Sequence, residues 1–181
     1  MTKKLRTGFT TGTAAAAAAK GALLMILEKK APSQVAIKLL TGDTLPVKIH
    51  RCKRDDAAKA TCTVIKDAGD DPDVTHKAEI GAIVKLLTSA DNLNRKDAAK
   101  IMITAGEGVG RVTKPGLEVP PGGPAINPGP RKMIIQALND ILQKYALPYS
   151  VQVEIFVPQG KKLAEKTLNA RLGIMGGLSI L

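Results

Sequence analysis

The sequence predicts an α+β fold: a two-layer sandwich in which a mixed, mostly antiparallel sheet carries helices on one face. Three observations lead there. Apolar residues alternate at strand period in five or six segments, two segments instead repeat near 3.6, and the strand-like segments follow one another in hairpin succession rather than alternating with helices. A length of 181 residues sets one domain, residues 1–181, large enough to bury a sizeable core.

The first element is a helix. Thr10-Thr11-Gly12-Thr13 precedes six consecutive alanines, Ala14 to Ala19, and then Leu23, Leu24, Ile26 and Leu27. Threonine caps before the best helix former give a helix from about Ala14 to Lys29, capped by Thr11 or Thr13. Its alanine turns let a sheet or a ligand come close. Val35, Ile37 and Leu39 then alternate, as do Leu45, Val47 and Ile49, and Thr41-Gly42-Asp43-Thr44 between them reads as a hairpin. A strand at about Ala60 to Ile65 leads into an acidic loop, and a second, with Ile80, Ala82, Val84 and Leu86 on one face, leads out of it. Asp91 to Asp97 is a polar loop and Ile101 to Thr104 a short strand.

Gly106 to Pro130 holds seven glycines and six prolines in 25 positions, which excludes a regular helix and points to a functional loop. From Pro130 onward Met133, Ile134, Ala137, Leu138, Ile141 and Leu142 form one helical stripe. Val151, Val153, Ile155 and Val157 make the cleanest strand. A short helix fits around Leu163 to Leu168. Leu178-Ser179-Ile180-Leu181 reads as a strand cut in mid-run, expected to pair within the domain or to leave apolar surface bare.

Charge narrows the function. The chain carries 27 basic and 16 acidic residues, a formal +11, which calls for a polyanionic partner. There is no Trp, and only two Tyr and two Phe, so a strand platform that stacks nucleobases is not indicated. No basic amphipathic helix suits a membrane surface, and no apolar run approaches the ~18 residues of a membrane span. A small molecule rich in carboxylates or phosphates is the partner left. Cys52 and Cys62 are too few for a disulfide framework or a tetrahedral metal site and read as separate reduced thiols. The N-terminus has no secretory pattern, so the expected location is cytoplasmic.

Within Lys66-Asp-Ala-Gly-Asp-Asp-Pro-Asp-Val-Thr-His76 stand four carboxylates, Asp67, Asp70, Asp71 and Asp73. So many like charges in a Gly- and Pro-broken loop repel each other unless N–H groups or cations satisfy them. With Thr75 and His76 they read as an acid–base cluster, in which one carboxylate of raised pKa acts as base. The spacing matches no calcium loop and no metal is expected. Thr10, Thr11 and Thr13 open a helix and so form an anion pocket. Gly106-Glu107-Gly108-Val109-Gly110 follows a strand as in an adenosyl-binding loop, but Arg111 to Gly116 cannot be the helix such a loop needs. What remains is Gly106, Gly108 and Gly110 flanked by two cations, Arg111 and Lys114. Asn127, Arg131 and Lys132 begin the second long helix, and Asn169 and Arg171 stand near the end. Arginine suits bidentate carboxylate recognition.

Together these residues resemble a known family. The Lys66–His76 stretch, Thr7-Gly-Phe-Thr-Thr-Gly-Thr13, Gly106 to Leu117, Pro124-Ala-Ile-Asn-Pro128 and Lys166-Thr-Leu-Asn169 with Arg171-Leu-Gly173 are similar to five blocks of the CbiD family, in order along the whole chain. These are cobalt-precorrin-5B C(1)-methyltransferases of anaerobic cobalamin biosynthesis. The resemblance implies methyl transfer from S-adenosylmethionine, as co-substrate, to a ring carbon of an anionic cobalt tetrapyrrole, with the cobalt carried by the substrate. Arg111, Lys114, Arg131 and Arg171 would then clamp peripheral carboxylates. The family is about twice as long, so the resemblance implies a further C-terminal half, supplied in cis or by another subunit, that holds most of the S-adenosylmethionine site. These 181 residues alone are then expected to bind the tetrapyrrole weakly and the methyl donor hardly at all. A homo-oligomer is compatible with it. The alternative is a non-catalytic basic module that binds polyanions such as RNA.

Overall fold

The computed structural model describes residues 5–87, 101–147 and 150–181. A five-stranded sheet of order β3-β4-β5-β8-β6 forms the frame: β3 Arg51–Arg54, β4 Lys59–Ile65, β5 Glu79–Leu87, β6 Ile101–Ala105 and β8 Ser150–Phe156. The β3, β4, β5 and β8 pairings are antiparallel, and β6 joins β8 in parallel. The sheet is therefore mixed and mostly antiparallel, as the alternation implies. The predicted hairpin forms, β1 Gln34–Lys38 with β2 Thr44–Lys48, as a separate two-stranded sheet. The expected polar loop Asp91–Asp97 lies outside the described residues.

The first helix, α1 (Thr11–Glu28), is buried along thirteen of its eighteen residues, and all seven of its alanines are fully inaccessible. Leucines in their place would hold the neighbours several ångströms further away. Alanine instead lets α1 lie directly on Ala60, Cys62 and Val64 of β4 and on Ile80, Ala82 and Val84 of β5, all buried. The second helix, α2 (Pro128–Lys144), packs against α1 through the predicted stripe, with Pro130 against Gly12. Helices thus cover one face of the sheet. α1 starts earlier than predicted: Thr10 is the N-cap, and its hydroxyl accepts from the Thr13 amide at 3.1 Å.

Other differences have local causes. Arg51-Cys-Lys-Arg54 lacks an apolar alternation yet forms the edge strand β3, where charged side chains are the usual content. In the hairpin register Cys52 faces Cys62 directly, with the Cα atoms 4.0 Å apart, so the two cysteines are cross-strand neighbours rather than isolated from each other. The expected helix at Leu163–Leu168 is instead two short ones, α3 Gly160–Ala164 and α4 Asn169–Leu172, separated by a turn closed by Thr167. The glycine- and proline-rich segment contains β7 (Arg111–Val112), paired with β9 (Ile174–Met175), and α2 begins at Pro128 rather than Pro130. Leu178 and Ile180 are buried and make parallel bridges to Val109 and Ile126. The final segment therefore pairs within the domain. None of the described helices is long and apolar enough to cross a membrane.

The registers Ile65 to Glu79, Gly81 to Phe156 and Ala105 to Ile155 put the loops after β4, β6 and β8 at one end of the sheet. Because α1 is sealed in by small side chains, Ala16→Leu is expected to destabilise the fold by about 1–3 kcal/mol through overpacking. Urea unfolding would show this as a lower midpoint at unchanged slope.

Candidate active site

At that end of the sheet the chain builds a cavity of about 370 Å³. Its walls are Phe9 to Thr11 before and within α1, Lys66 to Thr75 of the acidic loop, Thr167 and Asn169 near α4, and Leu178 to Leu181. The N-terminal segment is laced to the acidic loop by backbone bonds: Phe9 N–H donates to Asp67 O at 2.8 Å and Asp70 N–H to Arg6 O at 3.0 Å. Gly8 and Gly69 make this approach possible, since a Cβ on either would run into the opposite backbone, and Gly69 has φ +66°. The last residues strap the helix start. Gly12 N–H donates to Leu181 O at 2.7 Å, and the Thr11 hydroxyl both accepts from Leu181 N–H at 2.9 Å and donates to Leu181 O at 3.2 Å.

The four aspartates are not equivalent. Asp67 takes a two-pronged ion pair from the Arg6 guanidinium, and Asp70 accepts from the Arg6 amide at 2.8 Å. Asp73 receives Lys66 Nζ at 2.6 Å on one oxygen, and the Thr75 amide and hydroxyl at 2.7 Å each on the other. Asp71 lines the cavity and is exposed; its backbone is bonded to Ala68 O and to the Asp73 amide, but its carboxylate has no hydrogen bond or ion pair among the described residues. The expected base of raised pKa is not found at the two perturbed positions. The hydrogen bond from Arg6 lowers Asp67, with the Gly69 amide adding to it. Burial pushes Asp73 up, but Lys66 and Thr75 outweigh it and bring it to about 2. Like-charge repulsion loses because each of these carboxylates has its own cation and N–H groups.

The cavity brings together Thr10, Thr11, Asp71, Asp73, Thr75 and Asn169 from the residues singled out in the sequence. It leaves others outside. Thr13 is buried in the cap of α1, and His76 Nδ1 accepts from the Ala68 amide at 3.1 Å, which steadies the loop. Gly106, Gly108 and Gly110 leave the same end of the sheet but line no wall of this cavity. Each has a close neighbour: a Cβ on Gly108 would strike the Val157 carbonyl, one on Gly110 the Ile174 side chain and Gly177 O, and one on Gly106 the Glu154 side chain, and Gly160 and Gly177 have no room beside Gly108. Gly110 N–H donates to Leu178 O and Leu178 N–H to Gly108 O, both at 2.8 Å, so this loop holds the segment that does form a wall.

The nominated cations also stand elsewhere. Arg111 donates to Gly122 O, Arg131 Nε to Ile126 O, the Lys114 stem lies against Gly173, and Arg171 is exposed on α4. Lys132 is exposed on α2, and Asn127 reaches Glu118 at 3.3 Å. Lys66, Phe9, Thr167 and Ser179 are among the lining residues that sequence reasoning missed, with Gly8, Ala68, Val74, Leu178 and Leu181. For Lys66 the signal was present: Ala60, Cys62 and Val64 point inward, and two residues on, Lys66 continues that parity at 3 % exposure. Among the described residues no group of three or more His, Cys, Asp or Glu side chains is placed to hold a metal ion.

The model of the CbiD family matches residues 1–181, the whole chain. The chain belongs to the CbiD family. Two relatives are named cobalt-precorrin-5B C(1)-methyltransferase. The one from Geobacter metallireducens is 50% identical over 181 residues, covering 99% of this chain and 48% of that protein. The one from Geobacillus thermodenitrificans is 47% identical over 179 residues, covering 99% and 45%. A crystal structure titled as a cobalamin biosynthesis protein from Archaeoglobus fulgidus superposes with a TM-score of 0.70 at 28% identity, covering 98% of this chain and 52% of that one. The chain therefore spans about half the length of the relatives it matches.

The ion pair at Asp73 has a consequence for acid stability. Its folded-state pKa of about 2 lies below the ordinary 3.8. It therefore contributes stability that is full above about 3.8 and is lost as pH falls through about 2. Asp73→Asn should flatten the stability profile between those two pH values relative to wild type, in denaturant midpoints taken at each pH.

Proposed function

We propose that this protein serves S-adenosylmethionine-dependent methylation of a ring carbon of cobalt-precorrin-5B, in the cytoplasm, as a step of anaerobic cobalamin biosynthesis. The names of the relatives support the reaction class. The observation that carries the reading to a site is the cavity at the start of α1, where one carboxylate, Asp71, has no partner in a loop whose other carboxylates are tied down.

S-adenosylmethionine, when bound, supplies a methyl on a sulfonium whose sulfur keeps the bonding pair as the new carbon–carbon bond forms. The donor set suits such a group, because the cavity is lined by two carboxylates and one lysine, together with the hydroxyls of Thr10, Thr11, Thr75, Thr167 and Ser179. The adenosine part has no ready receptor here, since the glycine loop is packed against Gly160 and Gly177. We assign that part of the site to the portion of the relatives' length beyond the match.

Within this chain the roles divide by partner. Asp71 takes up the proton that the acceptor releases as it is methylated. Asp73, kept ionised, supplies fixed negative charge beside it. Asn169, buried and bonded to Gly177 O at 3.3 Å, and the threonine hydroxyls orient the acceptor. The cobalt arrives with the substrate. The exposed cations that give the chain its +11, Lys114 and Arg171 among them, attract the carboxylates of the tetrapyrrole during approach.

In the full-length protein, Asp71→Asn should lower turnover in a cobalt-precorrin-5B methylation assay by about 10²-fold or more with little change in substrate affinity. Full turnover in that variant would remove Asp71 from the mechanism. RNA binding without any tetrapyrrole binding would replace the enzymatic reading with that of a polyanion-binding module.

A further inference from the structure

We propose that Lys66 is a positioning residue of this site: it holds Asp73 ionised in the cavity and so makes Asp71 the carboxylate that exchanges a proton with the substrate. The inference rests on the reading that Asp71 acts as proton acceptor. Lys66 is 3 % exposed, lines the cavity, and places Nζ 2.6 Å from Asp73 Oδ2. An ammonium taken this far out of water is costly unless a carboxylate faces it. The loop delivers that carboxylate by folding back: Lys66 N–H donates to Ala78 O and Lys77 N–H to Lys66 O, each at 2.9 Å. The base of the loop is thus closed by the residue that carries the cation.

The charges facing the pair are few. On the cavity wall Asp71 is the further charged side chain; elsewhere in the loop Asp67 is paired with the Arg6 guanidinium and Asp70 accepts from the Arg6 amide. His76 spends Nδ1 on the Ala68 amide. The walls given by α1 and by Thr167 to Ser179 are lined by hydroxyl, amide and apolar side chains. Arg6 and Lys66 therefore account for three of the four carboxylates. Two neighbouring carboxylates without such a division would share a proton and titrate as a unit. Here Lys66 holds one oxygen of Asp73 and Thr75 the other, which sets Asp73 apart from the unpartnered Asp71 carboxylate.

The test replaces the ammonium by a neutral side chain of similar length, Lys66→Met, beside Lys66→Met/Asp73→Asn and Asp71→Asn. In a carbon-detected NMR titration of the aspartate carboxyls, Asp73 should ionise at higher pH in Lys66→Met than in wild type. In the methylation assay of the full-length protein carrying these substitutions, kcat should fall about 10–100-fold through misplacement of the site, with KM nearly constant. The rising limb of the pH profile should move to higher pH in Lys66→Met and return to the wild-type position in the double variant, where the competing carboxylate is gone. The double variant also leaves no buried charge unpaired, so it remains informative if the single one unfolds. An unchanged Asp73 titration, or one pH profile common to the single and double variants, would overturn the proposal. Full activity of Asp71→Asn would instead overturn the role given to Asp71, whatever Lys66→Met does.

Discussion

The burial of α1 is the constraint on which the rest depends. A helix with thirteen of eighteen residues inaccessible sits against β4, β5 and α2 only because its first two turns are alanine. That packing fixes where its N-terminus emerges. The positive dipole end of α1 is thereby delivered to the end of the sheet where β4 passes into the acidic loop, with the Gly12 amide already taken by Leu181 O and the Thr13 amide by the Thr10 hydroxyl. Everything around the cavity is then tied to this point: the Leu178–Leu181 segment through Gly12 and Thr11, and the acidic loop through Phe9.

Electrostatics complete what packing begins. A basic chain that concentrates four aspartates in one loop needs cations on the spot, and it uses two of different kinds. Arg6, at the surface, binds Asp67 with a planar fork and Asp70 with its own amide; Lys66, buried, binds Asp73. The exposed pair adds little to stability, whereas the buried cation must be matched. The outcome is a loop whose shape is set by three carboxylates and which leaves the fourth carboxylate, Asp71, without a partner among the described residues.

Much of this was legible in the sequence. The α1 and α2 patterns, the hairpin, and the strands around the acidic loop follow from period and turn chemistry, and the α+β class follows from their order. Edge strand β3 was not legible, because Arg51 to Arg54 carry no apolar alternation and the strand forms through its register with β4. The split of the last helix was missed because Thr167 closes a turn with its own hydroxyl, a competition that periodicity does not register. At the site, the aspartates and threonines stood out by type. The glycines of 106–110 stood out as a loop motif; Gly108 and Gly110 approach the backbones of Val157, Gly160 and Gly177, a role that a motif does not distinguish from contact with a phosphate. The nominated arginines were chosen by type too, but their placement depends on the long-range pairing of β7 with β9 and of Ile126 with Ile180.

The central claim is that ligands of this chain meet at the start of α1 and not at the glycine loop or its flanking cations. Amide NMR of the isotope-labelled chain, titrated with S-adenosylmethionine and separately with uroporphyrin as a polycarboxylate tetrapyrrole, tests it directly. The account predicts that shifts centre on Phe9 to Thr11, Lys66 to Thr75 and Thr167 to Leu181 for at least one of the two. Shifts confined to Arg111 to Gly116 and Arg171, with the acidic loop silent, would contradict it.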